Sequence, residues 1–133
     1  MTVGRRSARG PGPGWSAPRT GPLASLDMDV PEIDVAELAR VRAAAVPLID
    51  VREPDEYTAA HVPGAMLVPL ATVPERLADV PAEGTVYVIC AKGARSLRAA
   101  EFYRSQGIDA VNVAGGTTAW VDAGQPVSTG MEP

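Results

Sequence analysis

A chain of 133 residues holds one domain with a real core, and it is too short for two comfortable ones. At 46% hydrophobic and 21% charged the composition is ordinary for a globular protein, and no apolar run approaches the length of a membrane span. A net charge of -4 argues against nucleic acid as the main partner, and one cysteine with one histidine leaves too few soft ligands for a metal site.

The charge is uneven. Residues 1–25 carry Arg5, Arg6, Arg9 and Arg19 and no acid, whereas residues 26–133 carry eight basic and sixteen acidic residues. The run Gly10-Pro11-Gly12-Pro13-Gly14 can hold neither helix nor strand. Residues 1–27 are therefore expected to be a disordered tail, with one domain over 28–133. Arg5-Arg6 has no apolar region after it, so it is an incomplete export signal. A second expectation is that Met28 is the true start and the tail an extension of the reading frame.

In the body, Asp34 can cap a helix over 35–45, with Glu37 three positions on completing a capping-box-like pair and Leu38, Val41 and Ala45 on one face. Pro47 stops it. Pro47-Leu48-Ile49-Asp50-Val51 has the look of a buried strand. Proline and acids in Glu53-Pro54-Asp55-Glu56-Tyr57 mark a first helical turn. Val62-Pro63-Gly64 is a turn, Ala65–Val68 a short strand and Val73–Ala78 a short helix. Thr85–Ile89 is the clearest strand. Residues 95–106 read as a helix ended by Gly107, with Arg98, Glu101 and Ser105 on its polar side and Ala99, Ala100, Phe102 and Tyr103 on the other. Ala110–Val113 is a further strand, and Gly115-Gly116 turn into a last helix carrying Trp120. Apolar strands separated by helices predict an α/β fold, a parallel sheet covered on both faces.

The only cysteine, Cys90, closes the Thr85–Ile89 strand and opens the loop Ala91-Lys92-Gly93-Ala94-Arg95. It cannot form an internal disulfide, and a lone thiol suits a reducing cytoplasm. In open parallel sheets ligands bind beyond the carboxyl ends of the strands, where this thiol sits. A free thiol has a pKa near ~8.5. The positive end of the following helix, the loop amides, and the charges of Lys92 and Arg95 should all favour the thiolate. A shift of one to two units would correspond to roughly 1.4–2.7 kcal/mol. The opposing reading is an inert buried thiol, a common fate of free cysteine.

Four motifs in order extend this reading: Leu48–Tyr57, His61–Leu70, Cys90–Ser96 and Asn112–Trp120. Together they resemble the single-domain rhodaneses, the sulfurtransferase family, over residues from about 30 to 127. The resemblance implies a three-layer domain with a five-stranded parallel sheet and helices on both faces. It implies a ping-pong reaction in which Cys90 takes a sulfane sulfur from a small donor such as thiosulfate, becomes a persulfide, and passes the sulfur to cyanide, a thiol or a protein acceptor. The amides from Ala91 through Lys92, Gly93 and Ala94 to Arg95 would cradle the persulfide. Arg95 and Lys92 would bind the anionic donor. No cofactor, nucleic acid, membrane or metal is expected. Cysteine phosphatases place one residue more between cysteine and arginine, so the tighter loop here suits a single sulfur better than a phosphate. Many family members carry arginine directly after the cysteine. Ala91 stands here, which leaves donor preference open. Two other readings are a persulfide relay to a protein in thiocofactor synthesis and a binding module without turnover. His61, Asp50, Arg52 and Trp120 are expected to be structural, and Gly115 and Gly116 to serve a tight turn.

Overall fold

The computed structural model describes residues 30–133. The tail expected over 1–27 and the start considered at Met28 lie outside them. The described chain forms a five-stranded sheet, all parallel, in the order β1-β5-β4-β2-β3. Its strands are β1 (Glu32–Ile33), β2 (Leu48–Asp50), β3 (Met66–Leu67), β4 (Thr85–Ile89) and β5 (Asp109–Val113). The helices are α1 (Val35–Val41), α2 (Pro54–Ala59), α3 (Ala94–Ser105) and α4 (Gly116–Asp122). The sequence motifs locate four of the five strands. The fifth, β1, is too short to carry a period and exists because Glu32 and Ile33 pair with Asn112 and Val113 of β5.

Alternation along the strands divides the core in two. Ile49 and Val51 of the β2 segment, and Val86 and Val88 of β4, pack with Ala99, Ala100 and Tyr103 of α3 on one face. Leu48, Ile89 and Val113 pack with Leu38 of α1, Tyr57 of α2 and Trp120 of α4 on the other. The expected helix–sheet–helix layering is therefore present. Every connection crosses from one strand to a parallel one, so the loops after β2, β4 and β5 meet at one end of the sheet.

Three local expectations change. The first helix ends at Val41, tightens into a 3₁₀ turn over Arg42–Ala44, and leaves Ala45 exposed in a left-handed conformation at φ 58°. Ala45 therefore does not share the buried face of Leu38. Arg42 holds this turn by donating to the carbonyl oxygens of Val46 and Pro63. Asp34 does cap α1, accepting the Glu37 N–H at 2.9 Å, but the Glu37 carboxylate turns to Arg40 instead of completing a capping box. Residues 73–78 are not an α-helix. Residues 73–76 connect 3₁₀ turns at Leu70–Thr72 and Leu77–Asp79, and Leu77 and Ala78 belong to the second turn. Unlike α2, which a capping box starts, this segment has no side-chain cap, and the buried anchors Val73 and Val80 draw it along the core instead.

The residues read as structural behave so. Asp50 and Arg52 form a buried ion pair at 2.9 Å, and Arg52 also donates to the Ala60 carbonyl at 2.8 Å. His61 is buried and stacked on Tyr57, with ring centroids 3.6 Å apart. Its Nδ1 lies 2.8 Å from the backbone carbonyl oxygen of Tyr57 and its Nε2 2.7 Å from that of Glu132, which ties the last residues to α2. Trp120 is buried and donates its indole N–H to Pro126. Among the described residues no helix is long and apolar enough to cross a membrane.

Candidate active site

Cys90 follows β4, the middle strand, and points into the face covered by α3. Only 1% of the residue is exposed, so the sulfur lies at the floor of the loop rather than at its rim. The chain can fold back over it because Gly93 adopts φ 113°, a left-handed conformation that side chains resist. That turn aims the Gly93 N–H at Cys90 Sγ, 3.1 Å away, and starts α3. The Ser96 hydroxyl, on the first turn of α3, lies 3.3 Å from the same sulfur.

Burial by itself raises the proton affinity of the thiol. The Ser96 hydroxyl and the backbone amides of Ser96, Gly93 and Lys92 outweigh it, and the net effect is a pKa below that of an ordinary cysteine. The expected direction is met, and the leading stabilising groups are hydrogen-bond donors rather than the cations.

The expected loop residues are close together in space, but their surroundings differ. Lys92 and Ala94 are exposed, and Ala91 and Gly93 are half-buried. Arg95 makes a two-pronged ion pair with Glu56 at 2.8 and 2.9 Å. The hydrogen bonds from Arg95 lower the Glu56 pKa to about 2 against the opposing effect of burial. The cation expected to meet the donor is thus partly neutralised by a carboxylate that sequence reasoning gave only a helix-starting role. Glu56 does have that role too, since its Oε1 accepts the Glu53 N–H at 2.9 Å in the capping box of α2. The signal was available. In a parallel sheet the first turns of α2 and α3 follow neighbouring strands at the same end, so an acid in one and an arginine in the other can meet.

The glycine pair of the last motif also belongs to the site. The N–H groups of Thr117 and Thr118 donate to the carbonyl oxygens of Cys90 and Ala91 at 2.8 and 3.0 Å. Gly116 makes this approach possible. A Cβ there would overlap the Cys90 oxygen and stand 2.5 Å from the Ala91 oxygen, at φ 62°. Ser96, Asn112 and Glu32 form a further polar chain behind the sulfur that motif reading left without a role. Among the described residues no cluster of His, Cys, Asp or Glu is arranged to hold a metal ion.

Residues 34–123 match the family model described as the rhodanese-like domain. A protein of Allochromatium vinosum named "Sulfurtransferase" is 35% identical over 101 residues, which is 74% of this chain and 94% of that one. The match to the "Probable adenylyltransferase/sulfurtransferase MoeZ" of Mycobacterium tuberculosis is 39% over 82 residues, 59% of this chain and 21% of the larger protein. The crystal structure of a rhodanese-related protein from Thermoplasma volcanium superposes with a TM-score of 0.70 at 31% identity, covering 77% of this chain and 99% of that one. With the sheet order, the thiol at the end of β4 and the loop that closes over it, these likenesses carry one conclusion: the chain belongs to the rhodanese-like domain family.

Proposed function

We propose that the protein is a sulfurtransferase in which Cys90 is the nucleophile. The observation that carries this is the convergence of the Gly93 N–H and the Ser96 hydroxyl on Cys90 Sγ, at 3.1 and 3.3 Å, in a loop built for one sulfur. The Cys90 thiolate attacks the outer sulfur of a sulfane donor such as thiosulfate. A sulfur–sulfur bond to Cys90 forms, the donor's own bond to that sulfur breaks, and sulfite leaves with the electron pair. A thiophilic acceptor (cyanide, a thiol or a protein) then attacks the outer sulfur, and the thiolate is restored. The Ala91–Arg95 loop cradles the persulfide. Lys92 stands exposed to draw in anions. Arg95 keeps part of its N–H fan for the donor, since two of its bonds go to Glu56.

The same reading assigns residues 28–133 to the domain, residues 1–27 to a tail, and the protein to the cytoplasm, where a free thiol persists. A protein acceptor is the second reading. It is supported by the likeness to the Mycobacterium tuberculosis protein, whose name joins an adenylyltransferase to a sulfurtransferase.

Intact-mass measurement after mixing with thiosulfate, or with an organic persulfide donor, tests the core of this. The wild type should gain the mass of one sulfur and lose it again to cyanide, and Cys90→Ser should gain none. A wild type left unmodified by either donor refutes the sulfur-transfer reading.

A further inference from the structure

Behind the reactive sulfur a polar chain runs from Ser96, already a donor to Cys90 Sγ, through the buried Asn112 to the exposed Glu32, and the sulfur chemistry above assigns Asn112 and Glu32 no task. Ser96 Oγ is 3.3 Å from Cys90 Sγ, 3.2 Å from the Gly93 carbonyl oxygen and 2.5 Å from Asn112 Oδ1. A hydroxyl has one proton to give, and these groups compete for it. Asn112 is itself oriented. Its Nδ2 donates to Glu32 Oε2 at 2.9 Å and to the Gly93 carbonyl oxygen at 3.3 Å. Turning the amide over would set its oxygen against a carboxylate and a carbonyl, so Oδ1 is committed to Ser96. Ser96 is fully buried and Asn112 is 1% exposed, so bulk water supplies no spare donor.

The chain has different consequences in each state of the sulfur. As a thiol, Cys90 donates its S–H to Ser96 Oγ, Ser96 donates to Asn112, and all partners are satisfied. As a bare thiolate, the sulfur draws the Ser96 proton to itself, and Asn112 Oδ1 is left buried without a donor, which is costly. Once an outer sulfur is attached, the charge moves one atom outward and Sγ becomes neutral. Ser96 can then return to Asn112.

We propose that Asn112, braced by Glu32, is a positioning residue that contests the Ser96 proton with Cys90, so that the bare thiolate is held less firmly than either the thiol or the persulfide. The persulfide part rests on the sulfur-transfer reading, whereas the thiol part stands without it. The charged groups that bear on Cys90 are Lys92 and Arg95 from the loop and α3, Glu56 on α2 acting through Arg95, the Asp50–Arg52 pair at the end of β2, which couples to Arg95 and Glu56, and Glu32 on β1 acting through Asn112. From α4 the loop receives backbone N–H groups, and from β5 the neutral Asn112. Replacing Asn112 by leucine changes none of these charges, and a Ser96→Ala background separates the effect of the hydroxyl from that of the bonds Asn112 also gives to Glu32 and the Gly93 carbonyl.

Alkylation of Cys90 by iodoacetamide across a pH series, read by intact mass, reports thiol ionisation without any sulfur donor. Asn112→Leu should move the midpoint down by about half to one pH unit, so alkylation on the acid limb runs roughly three- to tenfold faster. The same change in a Ser96→Ala background should move nothing. An unmoved midpoint, or the same shift with and without the Ser96 hydroxyl, overturns the proposal. If Asn112→Leu does not fold, Glu32→Ala on the exposed edge strand replaces it. A downward shift larger with Ser96 than in Ser96→Ala supports the proposal, and equal shifts, due to the lost charge alone, overturn it. A Ser96-dependent shift in a protein that loads no sulfur would uphold the positioning role while refuting the sulfur-transfer reading.

Discussion

Replacing Glu56 by glutamine separates the charge at the loop from the shape that holds it. Glutamine can still complete the capping box of α2, and its carbonyl can still accept one N–H from Arg95. What disappears is the negative charge and the second prong of the pair. Arg95 brings the Glu56 pKa from 4.5 to about 2, burial acting against it. Converted in full at ~1.4 kcal/mol per unit, that difference would be about 3.5 kcal/mol. The two side chains are 36% and 33% exposed, and solvent screening reduces such a pair to about 1 kcal/mol. Because the folded value lies below the unfolded one, this stability is complete above pH 4.5 and is lost as the pH falls toward 2. Urea unfolding of wild type and Glu56→Gln should therefore differ by about 1 kcal/mol near neutrality, a midpoint shift of about 0.5 M, and converge in acid. In the same variant Arg95 is no longer neutralised. Loading of Cys90 by thiosulfate should be roughly three- to tenfold faster, with the gain shrinking as salt rises. A stability gap that persists at the same size in acid would show that the pair is not its source. Slower loading at low salt would show that Glu56 does not restrain Arg95.

Two further substitutions test the frame of the site. Arg52→Met strands the Asp50 carboxylate, which is fully buried, and frees the Ala60 carbonyl; the loss of one partner of such a pair costs ~3–5 kcal/mol. A thermal melt should fall by about 15 °C or more, and a variant melting within a few degrees of wild type would show that the pair contributes little. Gly116→Ala forces a Cβ onto the backbone of Cys90 and Ala91 at φ 62°, adding ~1–2 kcal/mol of conformational cost to the displacement of the loop. Sulfur loading should fall at least about tenfold, more than the change in unfolding free energy implies, and unchanged loading would detach α4 from the site.

Much of the fold can be read along the chain because its cues are local. Thr85–Ile89 is an apolar β-branched run, Gly107 ends α3, and Pro54 begins α2, each through neighbours in sequence. The same locality explains the failures. Residues 73–78 have a helical composition, yet their course is set by Val73 and Val80 reaching a core built from distant strands. β1 has no pattern of its own and takes its form from pairing with β5.

The sequence by itself determined four of the five strands and the helices that follow β2, β4 and β5, the family, and the place of one thiol at the end of a buried strand. Only the tertiary structure decided what surrounds that thiol. Glu56 meets Arg95 across 39 positions of chain, and Asn112 meets Glu32 across 80. Such pairs depend on which strands lie side by side and in what register, and that is settled by burying both faces of the sheet at once rather than by any stretch of neighbouring residues.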